Sequence, residues 1–126
     1  MTDRIITLMM LIVAFIHLLP IVGALGVERV NALYGTSIHD PVLEILMRHR
    51  AYLFGIMGGL FAYAAFVPAL QPVAFLAAGV SLASFFWLVY SVGEPAGALT
   101  SVVVADIVAI AALGVAVLLY LTKQAA

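Results

Sequence analysis

Residues 98–121 read ALTSVVVADIVAIAALGVAVLLYL, an apolar run interrupted by one ionisable side chain, Asp106. About 20 apolar residues in a helix cross a hydrocarbon core about 30 Å thick, so this run has the length and character of a membrane span. Between Val102 and Ile110 no other side chain is polar. A carboxylate so placed costs roughly 2.5 to 3.5 kcal/mol to insert and demands a partner elsewhere in the chain.

Outward from this run, three more segments share its character: 5–25, 46–67 as the apolar part of a helix that begins at Pro41, and 72–92. Together the four nearly exhaust the 126 residues, which leaves one domain, 1–126, of all-α class: an integral membrane antiparallel four-helix bundle. Composition points the same way. Hydrophobic residues make up 67% of the chain and charged residues 9%, with a mean hydropathy of +1.28. Too few polar side chains remain to coat a water-facing surface, so the lipid bilayer is the expected solvent and partner. A net charge of −1, with five Lys and Arg scattered along the chain, excludes nucleic acid, whose phosphates need clustered cations. The chain has no cysteine, which excludes disulfides, thiolate metal sites and thiol catalysis. Any redox chemistry then needs a bound cofactor, whose identity the sequence leaves unknown.

Turn-forming residues punctuate the spans. Gly23 and Gly26 close the first, Pro68, Gln71 and Pro72 form a tight turn, and Gly93, Glu94, Pro95 and Gly97 form another. Turns this short make antiparallel neighbours. Asp40 before Pro41 reads as an N-cap followed by proline at the first helical position, where its missing N–H costs nothing. The one long connection, 26–40, has Val27, Val30, Leu33 and Tyr34 at helical spacing with Glu28, Arg29 and Asn31 between them, the pattern of a short interfacial helix. Arg4 ahead of the first apolar run, with Val22, Gly23 and Ala24 at its end, has the outline of a signal peptide. His17 inside that run and the three spans that follow favour a retained helix instead.

An even number of spans places both termini on one side, with Arg4 and Lys123. The opposite side carries Arg29, Arg48 and Arg50 together with Glu28, Asp40, Glu44 and Glu94. If Arg48 and Arg50 belong to a buried site, the positive-inside rule makes the terminal side the cytoplasmic one.

Polar groups from three helices fall at one depth. At a helical rise of about 1.5 Å per residue, Asp106 and Arg48 lie about 10 Å, and His17 about 12 Å, below the side away from the termini. On the second long helix Glu44, Arg48, Tyr52, Gly55 and Gly59 follow three- and four-residue steps that share a face. On the third, Ser81, Ser84, Trp87 and Ser91 make a similar stripe. If both stripes face inward, they form a ligand pocket lined by His17, Glu44, Arg48, Tyr52, Trp87, Ser91 and Asp106, with His17, Glu44 and Asp106 as catalytic candidates. Each has a plainer reading. Arg48 and Asp106 suit a structural ion pair, and His17 suits a hydrogen bond between helices. His49 and Arg50, off this face, suit headgroup contact, and Trp87 and Tyr90 suit interfacial anchoring. No metal site is expected, since no second histidine is well placed.

The stretches FIHLLPIVGALGVERVNALYG (15–35), DPVLEILMRHRAYLFGIMGG (40–59) and VVVADIVAI (102–110) resemble a group of short bacterial membrane proteins with a DoxX-like four-helix layout. The resemblance covers nearly the whole chain and implies a bacterial inner-membrane bundle, with His17, Glu44, Arg48, His49, Arg50 and Asp106 in the group's recurrent segments. It also implies an association with quinone-linked membrane redox systems. Some members carry the name phosphopantetheine adenylyltransferase. This sequence has no βαβ pattern, no Gly-His dipeptide and no soluble domain to support that reaction.

Three functions are therefore expected in competition. One is a binding protein or accessory subunit holding a lipid- or quinone-like amphipath, its head on Arg48, Asp106 and His17. Another is a membrane enzyme with Asp106 or Glu44 as base, His17 as acid and Arg48 steadying an anion. The third is a proton-coupled exporter similar in size to the small multidrug-resistance proteins, with His17 where those carry an acidic residue. The Gly55 to Gly59 spacing suits a homo-oligomer or a larger membrane complex as well as an internal contact.

Overall fold

The computed structural model describes residues 1–93, 97 and 99–126. The expected turn residues Glu94 and Pro95, and Ala98 at the expected start of the last span, lie outside the described residues. The described chain is all helical: α1 Thr2–Leu18, a 3-10 stretch Leu19–Leu25, α2 Val27–Tyr34, α3 Pro41–Ala65, a 3-10 turn Pro68–Leu70, α4 Gln71–Val92 and α5 Thr100–Ala125.

Three stretches are long and apolar enough to cross a membrane: Thr2–Leu25, Pro68–Val92 and Thr100–Ala125. α3 has the length, at 25 residues, but Glu44, Arg48, His49 and Arg50 crowd its first three turns. By length and composition alone the described residues therefore show three such helices rather than the four expected.

Local chemistry explains the boundaries. The first apolar run is not one α-helix from end to end: Pro20 lacks an N–H and would clash with the carbonyl four residues back, so the α-helix stops at Leu18 and continues as a 3-10 helix. Asp40 caps α3 as its sequence suggests, accepting a 2.8 Å hydrogen bond from the Val42 amide with Pro41 next in line. The 26–40 segment folds as α2, ended by Gly35 in the left-handed region at φ 63°. Asn31 then orders the loop beyond, its Oδ1 accepting from the Thr36 hydroxyl at 3.0 Å and the Ile38 amide at 2.9 Å.

The four long helices form a ring in which α1 packs on α3 and α5, and α4 packs on α3 and α5. Specific contacts give the directions. Thr7 of α1 donates to the Ala65 carbonyl at the end of α3, and Lys123 at the end of α5 donates to Asp3 of α1 at 2.6 Å. α3 and α5 therefore both run against α1. The common core lies in the half nearest the termini, where Ile6, Met10 and Val13 of α1 meet Phe61 and Phe75 across a bed of alanines: Ala64, Ala65, Ala74, Ala78, Ala112 and Ala116. A smaller cluster, Val30, Tyr34 and Ile38, holds α2 down at the other end.

The closest approach is between α1 and α3. A Cβ added at Gly58 would sit 2.6 Å from Leu18 Cγ and 3.0 Å from the Ala14 carbonyl oxygen, while one at Gly59 would meet nothing within 4 Å. Gly55 likewise abuts Ile21, so two of the helix's glycines serve an internal contact. Gly58→Ala is accordingly expected to lower stability by about 1–3 kcal/mol through overpacking. Gly59→Ala should be neutral or stabilise by up to about 1 kcal/mol from helix propensity. Thermal unfolding of the two variants in detergent checks the pair, and equal midpoints would contradict the packing described.

Candidate functional site

His17, in the last turn of α1, is 2% exposed, and a polar ring at that depth must satisfy both nitrogens. Nδ1 lies 2.9 Å from the Val13 carbonyl, one turn back, and Nε2 lies 3.1 Å from Ser81 Oγ on α4. A carbonyl oxygen only accepts, so Nδ1 carries a proton. In the neutral ring Nε2 is then the acceptor, and the Ser81 hydroxyl donates to it. Aromatic rings close the remaining faces: Phe54 stacks on the imidazole with centroids 5.7 Å apart, and Phe61 meets it edge-on at 4.9 Å.

Above this floor stands Arg50. Its Nη1 donates to Tyr34 Oη at 2.6 Å, and its Cζ lies 4.7 Å from the Phe54 ring centre and 5.2 Å from that of Tyr34. The two rings clamp a cation that cannot lose its proton. Asp106, in the second turn of α5, has no hydrogen-bond or ion-pair partner among the described residues; His17 and Arg50 act on it only through space.

These side chains surround a cavity of about 350 Å³, a size within the range of small-molecule pockets. Its polar lining comes from every long helix: His17 on α1, Arg50 on α3, Ser81 and Ser84 on α4, Asp106 on α5. Ser101 of α5 adds a hydroxyl, the rest of the wall is largely apolar, with Phe54, Phe85 and Leu88 prominent, and Leu33 and Tyr34 of α2 complete it. Its exposed members are Leu19 on the 3-10 stretch, Ser84 and Leu88 on α4 and Ser101 on α5, so most of its exposed lining lies on α4 and α5.

Of the residues expected to converge, the structure brings only His17 and Asp106 to the cavity. Arg48 is engaged elsewhere: Nε and Nη2 donate to the Ala24 carbonyl at 3.3 and 3.1 Å, and Nη1 donates to Glu44 at 3.1 Å. It thereby satisfies a carbonyl at the end of the 3-10 stretch, and the expected pair with Asp106 does not form. Glu44 accompanies Arg48 outside the cavity. Tyr52, 57% exposed, and Trp87, 66% exposed, project from the bundle, as does Ser91, whose hydroxyl bonds back to the Leu88 carbonyl. Arg50, expected to point away, is the residue that points in. Its signal was present in the spacing: Arg50, Phe54 and Phe61 lie at four- and seven-residue steps along one face of α3.

Among the described residues no cluster of His, Asp and Glu could hold a metal ion. In comparison with known proteins, no family model, no curated protein and no solved structure matches this chain.

The hydrogen-bond geometry at His17 makes a direct prediction. Ser81→Ala removes the donor to Nε2 and should cost about 1–3 kcal/mol of stability, the usual penalty for an unsatisfied buried acceptor. Imidazole nitrogen NMR of the variant should still show the proton on Nδ1, held by the Val13 carbonyl. A proton found on Nε2 in the wild type would contradict the assignment.

Proposed function

We propose that the chain is a four-helix bacterial inner-membrane protein of DoxX-like layout that binds an amphipathic, lipid- or quinone-like molecule in this cavity. The observation that carries the reading is the convergence of His17, Arg50, Ser81 and Asp106, one group from each long helix, on one small and mostly apolar space. A helix bundle that needed only to persist in lipid would bury apolar side chains at these positions, since polar groups at membrane depth are costly.

In this reading α3 completes the bundle as the fourth span, and its charges are accommodated by the structure. Arg48 and Glu44 neutralise each other, and Arg50 is held between rings. With both arginines withdrawn from loop chemistry, Arg4 and Lys123 outweigh Arg29, which under the positive-inside rule favours a cytoplasmic side for both termini. The ligand's tail leaves between α4 and α5, where most of the exposed lining residues lie, and runs among lipid chains. Its head meets Arg50 and Asp106. The tail, at about 0.8 kcal/mol per methylene taken from water, brings the molecule into the bilayer, and the polar groups hold and orient it in the cavity.

Native mass spectrometry of the detergent-extracted protein tests the reading. A specific small molecule of lipid-like mass should travel with the wild type. Arg50→Ala should reduce its occupancy at least about tenfold, as loss of a central binding residue does, whereas Trp87→Phe, on the outer surface, should retain it. A wild-type protein that binds neither a co-purified nor an added amphipath refutes the proposal. Chemical alteration of the bound compound on incubation would move the function from binding to catalysis.

A further inference from the structure

α3 and α5 occupy opposite corners of the helix ring, each packed on α1 and on α4. Arg50 and Asp106 therefore face one another across the cavity. They do not touch: the ion pairs among the described residues are Glu44–Arg48 and Asp3–Lys123, and neither includes them. Across the other diagonal, between α1 and α4, His17 and Ser81 do meet, at 3.1 Å, and close the floor. One diagonal is bridged and the other is left open.

A guanidinium stays charged in any protein environment, and Asp106 is the one carboxylate among the side chains that line this space. With Asp106 ionised opposite the guanidinium, the cavity is a separated charge pair between largely apolar walls. It offers hydrogen-bond donors on one side and an acceptor on the other, and its net charge is close to zero. Resting on the proposed ligand site, we propose that the cavity selects an uncharged head group on an apolar tail. The head carries a carbonyl or ether acceptor, which takes a hydrogen bond from Arg50, and a hydroxyl or N–H donor, which gives one to Asp106.

The alternatives fail on electrostatics. An anionic head would pair with Arg50 but strand Asp106 beside a second negative charge in a medium where such repulsion is poorly screened. A cationic head would do the converse to Arg50. A zwitterionic phospholipid head has the right signs, yet it must bring two further charges out of water. Its phosphate also belongs at the membrane surface, whereas Arg50 lies about 14 Å along α3 from Pro41 and Asp106 about 9 Å along α5 from Thr100. An uncharged head with one donor and one acceptor satisfies both walls at the least desolvation cost.

Four probes with the same oleoyl-type tail separate these cases: monoolein (uncharged, with an ester carbonyl and hydroxyls), oleate, oleylamine and lysophosphatidylethanolamine. Binding of each to the purified full-length protein at neutral pH, in uncharged detergent, is read by native mass spectrometry. Monoolein should bind at least about tenfold more tightly than each of the others. Asp106→Asn should shift the preference toward oleate, and Arg50→Gln should shift it toward oleylamine. The wild-type ranking stands alone if either variant fails to fold. A wild type that prefers oleate, oleylamine or the lysophospholipid, or binds all four equally, overturns the selectivity while leaving a ligand site in place. Absence of saturable binding by any probe overturns the ligand site and the selectivity together.

Discussion

A guanidinium inside a helix bundle cannot escape its charge by losing a proton, and much of the upper half of this structure is organised around that constraint. Arg50 is held by Tyr34 and Phe54, and Tyr34 belongs to α2, so the same contact that shelters the cation anchors the short helix over the cavity. Phe54 in turn stacks on His17, whose second nitrogen reaches Ser81 on α4. The chain of contacts from α2 through α3 and α1 to α4 is continuous. Only α5 stands outside it, and α5 contributes Asp106, the carboxylate that answers the charge across open space.

The two halves of the bundle differ because their side chains differ in size. Toward the termini the helices meet through alanines, with Thr7 and Asp3 tying α1 to the ends of α3 and α5. Small residues let backbones approach, and dispersion between close surfaces supplies the stability that the hydrophobic effect cannot supply in lipid. Toward the other end, Phe54, Phe85, Tyr34 and Arg50 take the alanines' place. The cavity lies among these longer side chains.

Helical content, the Asp40 cap, the short helix in the 26–40 connection and the isolation of Asp106 were all legible in the sequence, because each rests on local chemistry: a carboxylate before proline, a three- and four-residue apolar period, a lone charge in an apolar run. The inward face of α3 was not. Arg48 and Arg50 are two residues apart, which at about 100° per residue sets them on nearly opposite sides of the helix. The Glu44 and Arg48 stripe was self-consistent, but its polar residues turn toward Ala24 rather than the cavity. In a water-soluble helix the apolar face would have decided the matter. Here both faces of α3 carry apolar side chains, as the proposed bilayer setting allows, so periodicity identifies a stripe without saying which way it looks. The same ambiguity put Trp87 and Ser91 in the expected pocket. Trp87 projects from the bundle, and Ser91 lies one turn beyond Leu88, the last residue of α4 to line the real one.

The two arginines also show how donor capacity separates a structural role from a binding role. A guanidinium has five N–H donors in a fixed plane. Arg48 gives hydrogen bonds from all three of its nitrogens, two to the Ala24 carbonyl and one to Glu44, and the geometry it fixes is that between α3 and the 3-10 end of the first apolar run. Arg50 gives one, to Tyr34, and the rest of its donors have no partner among the described residues although it lines a cavity of about 350 Å³. A cation engaged through all three nitrogens beside one engaged through a single nitrogen, on the same helix and two residues apart, is hard to explain as two solutions to the same problem. The first arginine builds the frame, and the second, with Asp106 unpartnered opposite it, keeps hydrogen-bonding capacity for something the chain itself does not provide.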